Sequence, residues 1–136
     1  RDAGADSAAL LPSPTPVSSA ASDAASIEEP QEWARELARA RRALARGRFD
    51  RAYAIANDLP ADSVLRETPE FGEIRYRYVQ SHIQEGEEAF EKEDFARAVA
   101  EAELSLGVPG ITAKQRQEAR RLLRRARSRQ SRRIVD

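Results

Sequence analysis

Apolar residues recur along this chain three and four positions apart, the period of an α-helix with one buried face. Trp33, Leu37, Ala40 and Leu44 form the first such series, and Gly47 stops it. Phe49, Ala52, Tyr53, Ile55, Ala56 and Leu59 form the second, closed by Pro60. Phe71, Ile74 and Tyr78 share one face of a longer third helix, and Val79, Ile83, Gly86 and Phe90 continue a neighbouring stripe. Phe95, Ala98, Val99, Ala102 and Leu106 follow, before the breaker Gly107-Val108-Pro109-Gly110. Ala119, Leu122, Leu123 and Ala126 give the last stripe, behind Thr112 as a helix N-cap. No segment alternates with period two for long enough to make a strand. The pattern predicts an all-α domain over 28–130, built as stacked antiparallel helical hairpins. Its helices are expected at about 30–46, 49–59, 70–92, 94–106 and 113–130, with one helical turn around Val64 and Leu65.

The flanks read differently. Residues 1–27 are dominated by Ala, Ser, Pro and Asp and contain no aromatic residue. Pro12, Pro14 and Pro16 favour an extended chain, and the segment has too little apolar surface to offset its ordering entropy. It is expected to be a flexible linker. Order is expected from Glu28-Glu29-Pro30, where two acids and a proline mark a helix start. Residues 131–136 are expected to be a basic tail.

Two stretches of the helical part match each other. They are ARRALARGRFDRAYAIANDL, residues 40–59, and GEEAFEKEDFARAVAEAELSL, residues 86–106. Phe49 aligns with Phe95, Ala52 with Ala98, Tyr53 with Val99 and Ala56 with Ala102, at an offset of 46 positions. In each, an aromatic residue after a tight turn fills the space between two helices, and the alanine lets their backbones approach. Such hairpins cannot bury their apolar faces alone, so neighbours must stack.

On these residues the chain resembles the tetratricopeptide repeat family. Gly47-Arg48-Phe49-Asp50-Arg51-Ala52 and Glu93-Asp94-Phe95-Ala96-Arg97-Ala98 stand where that family commonly has Gly-Asp-Tyr/Phe-x-x-Ala. The first copy keeps the glycine and the second keeps the aspartate. Ala40 and Gly86 stand where the family often has a small residue in its first helix. The offset departs from the ~34 residues usual in the family, and the extra residues lie around 60–70. The resemblance implies a non-catalytic module for protein–protein interaction or scaffolding, of the kind found in larger bacterial signalling or assembly proteins. It also implies that the first helix of each hairpin presents the partner-binding side. Those positions are Arg41, Arg42 and Leu44 in one hairpin, and Gln80, Ile83, Glu87 and Glu91 in the other, with Tyr76 added if the long helix turns it outward.

Composition narrows the chemistry. The chain has 136 residues, 40% apolar and 34% charged, which suits one thin core under a charged surface. It contains no Met and begins with Arg1, so it is expected to be a piece of a longer protein. Richness in Arg and Ala points to a GC-rich bacterial source. No apolar run approaches the ~20 residues of a membrane span, and a cytoplasmic location is expected, or a periplasmic or membrane-tethered one if an upstream anchor was removed. With no Cys and one His, nucleophile–base pairs and thiolate metal sites are excluded or nearly so. No phosphate-cradling glycine loop is present. His82, flanked by Ser81 and Ile83, reads as a partly exposed structural residue. The acids Glu85, Glu87, Glu88, Glu91, Glu93 and Asp94 read as a solvated helix face, since nothing resembles a calcium loop. No enzyme activity, cofactor or metal is expected.

Charge is unevenly spread. The formal net charge is zero, yet residues 60–111 hold twelve acids to five bases, and residues 112–136 hold ten bases to two acids. Arg116, Arg120, Arg124 and Arg127 fall in one helical band, and Arg121, Arg125, Arg129 and Arg132 in another, flanking Leu122 and Leu123. One reading is a capping helix whose arginine fringe meets the acidic middle of the chain. A second is nucleic-acid or anionic-surface binding, for which Arg120, Arg121, Arg124, Arg125 and Arg127 are the candidate residues. A third is self-association, with the basic end of one copy on the acidic middle of another. A protein or peptide partner is the first expectation.

Overall fold

A computed structural model describes residues 31–135, with side chains as far as Arg133. The expected linker 1–27 and the helix start at Glu28-Glu29-Pro30 lie outside the described residues. The chain divides into two compact units, Arg1–Arg35 and Glu36–Asp136. Only residues 31–35 of the first are described, as the opening of a helix. Among the described residues there are five α-helices and one 3-10 turn, and no strand. The helices are α1 (Gln31–Ala45), α2 (Phe49–Asn57), α3 (Pro69–Glu91), α4 (Phe95–Leu106) and α5 (Ala113–Val135), with the 3-10 turn at Val64–Glu67 between α2 and α3.

Caps set the helix ends. The Thr68 hydroxyl accepts the Phe71 N–H at 3.3 Å, with Pro69 at the first position of α3. The Asp94 carboxylate accepts the Arg97 N–H at 3.2 Å, and the Thr112 hydroxyl accepts the Gln115 N–H at 3.0 Å. The link between α2 and α3 is held by Arg66. Its guanidinium donates to the Asn57, Leu59 and Pro60 carbonyls, at 2.8, 2.5 and 2.8 Å in its shortest contacts. A cation thereby satisfies the carbonyls that the C-terminus of α2 leaves unpaired.

The matched sequences fold into the same backbone turn. Gly47 (φ 75°) donates to the Leu44 carbonyl at 2.9 Å, and Arg48 to Ala43 at 3.0 Å. At an offset of 46, Glu93 (φ 63°) donates to Phe90 at 2.9 Å, and Asp94 to Ala89 at 2.8 Å. Both are Schellman closures around one left-handed residue. Glycine takes that conformation freely, whereas Glu93 is strained in it.

The core of the second unit lies around α3, which packs against α2, the 3-10 turn, α4 and α5, while α4 and α5 pack on each other. One apolar cluster joins Val79 and Ile83 to Val108, Ile111 and Ala119. Another joins Ala89, Ala98, Ala102, Leu122 and Ala126. The small residues let the backbones approach. A Cβ added at Gly86 would lie 2.6 Å from Leu122 Cδ2 and 3.1 Å from Glu101 Cβ.

The helical turn expected around Val64 and Leu65 is the 3-10 turn in the long connector, capped by the Ser63 hydroxyl accepting the Leu65 N–H. One boundary differs from the sequence reading. The last helix does not stop at 130 but continues to Val135, so no separate basic tail is seen over 131–135. Tertiary contact explains this extension. Arg133 donates to the Glu93 carbonyl at 2.8 Å and lies 5.6 Å over the Phe95 ring, which anchors the final turn.

Gly86→Ala should destabilise the fold by about 1–3 kcal/mol, because Leu122 must move out of a packed site; urea unfolding will read this. The two turns should respond in opposite directions. Gly47→Ala should cost about 1 kcal/mol, and Glu93→Gly should relieve strain and gain about 0.5–1 kcal/mol, seen as opposite changes in Tm.

Candidate functional site

A groove of about 380 Å³ runs between α3 and α5. Gln80, Ile83, Gln84 and Glu87 line it from α3, and Glu118, Arg121 and Arg125 from α5. The sides of α3 and α5 turned to this groove are amphipathic edges. Ile83 belongs to the apolar cluster and is only 3% exposed, so it forms the floor, while Gln84 and Arg121 are exposed on the walls. Arg125 crosses the groove to Glu87 at 3.4 Å and stacks 4.4 Å over the Phe90 ring. At one end, buried Gln115 donates through Nε2 to the Tyr76 carbonyl at 3.0 Å and to Gln80 Oε1 at 3.2 Å. This fixes the Gln80 side chain at the groove edge.

The expected partner-binding residues are thus distributed unevenly. Gln80, Ile83 and Glu87 come together in the groove. Tyr76 is exposed, one turn before Gln80. Glu91 is exposed at the end of α3 and does not line the groove. Arg41 and Arg42 are exposed on α1. Gln84 and Glu118 were not singled out by the sequence reading. Gln84 stands four residues after Gln80 and three before Glu87, so the helical period alone would have found it. Glu118 had no such signal, because the packing of α5 on α3 decides which side of α5 faces the groove.

His82 departs from the sequence reading. It is buried, 7% exposed, instead of partly exposed, because α3 passes between α2 and α4 at this point. Its Nε2 lies 2.8 Å from Asp50 Oδ1 on α2, and its Nδ1 lies 2.5 Å from Glu101 Oε1 on α4. Tyr78 meets the imidazole edge-on at 4.7 Å and stacks on Tyr53 at 4.2 Å. Burial pushes the His82 pKa down, but the hydrogen bonds to Glu101 and Asp50, with their charges, outweigh it and the net displacement is upward. Both ring nitrogens are committed, and the imidazole ties together helices from the two matched hairpins.

His82, Glu85 and Glu101 also offer three donor atoms within 4.8 Å of one another, a set able to hold a metal ion. The acids of that set already have a cation beside them: Arg97 lies 3.6 Å from Glu85 and 3.7 Å from Glu101. Glu101, which lies outside the acidic face read from the sequence, is turned inward on α4, and its side chain is 14% exposed.

The arginines of α5 separate into two groups. Arg125, Arg127 and Arg133 pair with Glu87, Glu103 and Glu93 on α3, on α4 and in the link between them. Arg129 lies over the Phe90 and Phe95 rings at 5.7 and 5.2 Å. Arg116, Arg120, Arg121 and Arg124 are exposed and have no ion-pair partner among the described residues. Of the residues expected on an anionic surface, Arg125 and Arg127 are thus engaged internally, while Arg120, Arg121 and Arg124 are free.

No helix among the described residues is long and apolar enough to cross a membrane. Compared with known proteins, the chain matches no protein family, no curated protein and no solved structure.

The His82 clamp has a pH signature. The folded state holds the imidazole proton to higher pH than the unfolded chain does. Its stabilisation is therefore fully present below about pH 6.5 and is lost as pH rises through the raised folded value. Urea midpoints measured across that window should fall with rising pH in the wild type. His82→Gln should flatten this part of the profile.

Proposed function

We propose that the chain is a non-catalytic protein–protein interaction module of the tetratricopeptide type, and that it takes an extended peptide segment in the groove between α3 and α5. The observation behind this reading is that Gln80, Ile83 and Glu87, three of the positions that the family resemblance assigns to the partner, line one groove with Glu118 and Arg121. The groove has an apolar floor and walls of amide, carboxylate and guanidinium groups. That mixture suits a peptide, whose backbone needs donors and acceptors and whose side chains need both apolar and charged contacts. The duplicated turn at Gly47 and Glu93 supports the family part of the proposal, since stacked hairpins of one kind give parallel first helices with a shared face. The commitment of both His82 nitrogens to carboxylates supports a structural role for the residue that would otherwise be the first candidate for acid–base chemistry.

Peptides selected from a random library on the full chain provide the test. Gln84→Arg and Glu87→Lys change the groove walls without entering the core. Each should weaken a selected peptide at least tenfold by calorimetry, with Tm unchanged for Gln84→Arg. Glu87→Lys should lower stability by no more than the loss of its one exposed pair with Arg125, about 0–1 kcal/mol. Selected peptides that bind both variants as tightly as the wild type would remove the groove from consideration.

A further inference from the structure

The exposed side of α5 that carries Arg116, Arg120 and Arg124, none of which lines the α3–α5 groove, presents a second surface. Arg116, Arg120 and Arg124 stand at successive intervals of four residues along one side of this helix. At a rise of about 1.5 Å per residue, the ladder has rungs about 6 Å apart and a length of about 12 Å. Two concavities flank it and share Arg124. One, of about 460 Å³, is lined by Ala113, Arg116, Gln117, Arg120 and Arg124. The other, also about 460 Å³, is lined by Phe90, Arg124, Arg125, Ser128, Arg129 and Arg132. Arg132 lies 3.5 Å from the Ser128 hydroxyl. Arg125 and Arg129 are held over Phe90, which fixes the wall of the second concavity without neutralising it entirely.

We propose that this ladder binds the sugar–phosphate backbone of a nucleic-acid duplex. Three observations select that partner. First, the rungs are guanidinium groups, which match phosphate oxygens in a bidentate manner, and Arg116, Arg120 and Arg124 have no internal carboxylate to release. Second, no large apolar residue lies among the exposed positions beside the rungs, which are Ala113, Gln117 and Arg127. A folded protein partner would find no buried anchor there. A phosphate array needs none, and a strand with one charge per ~3.4 Å of axis supplies about three to four phosphates within about 12 Å. Third, residues 112–136 hold no aromatic side chain on which an unpaired base could stack, which selects the duplex over a single strand. A membrane surface is disfavoured because the apolar stripe of α5, Ala119, Leu122 and Ala126, is fully buried and unavailable for insertion.

The test is fluorescence anisotropy of a labelled mixed-sequence duplex of about 24 base pairs with the full chain, across about 50–200 mM salt. Binding is expected, with log K falling against log salt at a slope of about −3 to −4, the signature of three to four phosphate contacts. The triple variant Arg116→Gln, Arg120→Gln, Arg124→Gln should lose at least tenfold in affinity at the lowest salt, and its slope should become shallower by about 3. Arg120→Gln alone should change the slope by about 1. Circular dichroism and Tm of both variants should match the wild type, since these exposed side chains make no hydrogen bond, ion pair or ring contact within the described residues. The proposal is overturned by absence of binding at about 50 mM salt, by an unchanged slope in either folded variant, or by preferential binding to polyglutamate or to phosphatidylserine vesicles over the duplex.

Discussion

The contact of α3, α4 and α5 at Gly86 sets the terms for the rest of the fold. A single methyl group there would press to 2.6 Å from Leu122. Ala98 and Ala102 on α4 are both wholly buried and keep the facing side of that helix small. Close backbone approach lets few and small side chains exclude water, which suits a chain with four Phe, three Tyr and one Trp. The same approach brings Glu101 within reach of His82 and Arg125 within reach of Glu87. The groove between α3 and α5 and the packing of their polar edges therefore depend on one position having no side chain.

Polar interactions then fix how the hairpins sit. His82 is held from two sides by carboxylates on α2 and α4, so its imidazole acts as a bracket between the matched hairpins. Arg66 closes the connector by binding the carbonyl end of α2. The arginines of α5 divide their work. Those turned to α3 and α4 meet glutamates and aromatic rings, where each exposed pair contributes only about 0–1 kcal/mol but the set fixes the helix along its length. Those turned outward keep their full charge for solvent or a partner. One helix thus serves as a cap on one side and a cationic edge on the other.

Much of this was legible in the residues. The 3.6-residue period placed each helix to within a few positions, because burial of one face dominates helix formation in proteins. The 46-residue offset found by matching Phe49/Ala52 to Phe95/Ala98 is also the offset between the two left-handed turns, at Gly47 and Glu93. The need for a small residue at Gly86 could be read from the same match. Less visible was the end of α5. Its last turn has Arg132 and Arg133 and no apolar stripe of known direction, and only the meeting with Glu93 and Phe95 shows why it stays helical.

The sequence by itself determined the all-α class, the positions of the turns, the small residues at the helix contacts and the charge asymmetry between middle and end. These follow from local rules: periodicity, capping, backbone freedom and the count of charges. Only the tertiary structure decided that His82 is buried between Asp50 and Glu101, that Gln84 and Glu118 share a groove with Gln80 and Glu87, and which arginines of α5 are spent on internal partners. Each of these depends on the rotation of one helix against another. That rotation is set by how small and large side chains interlock across distant stretches of chain, and no single stretch contains it.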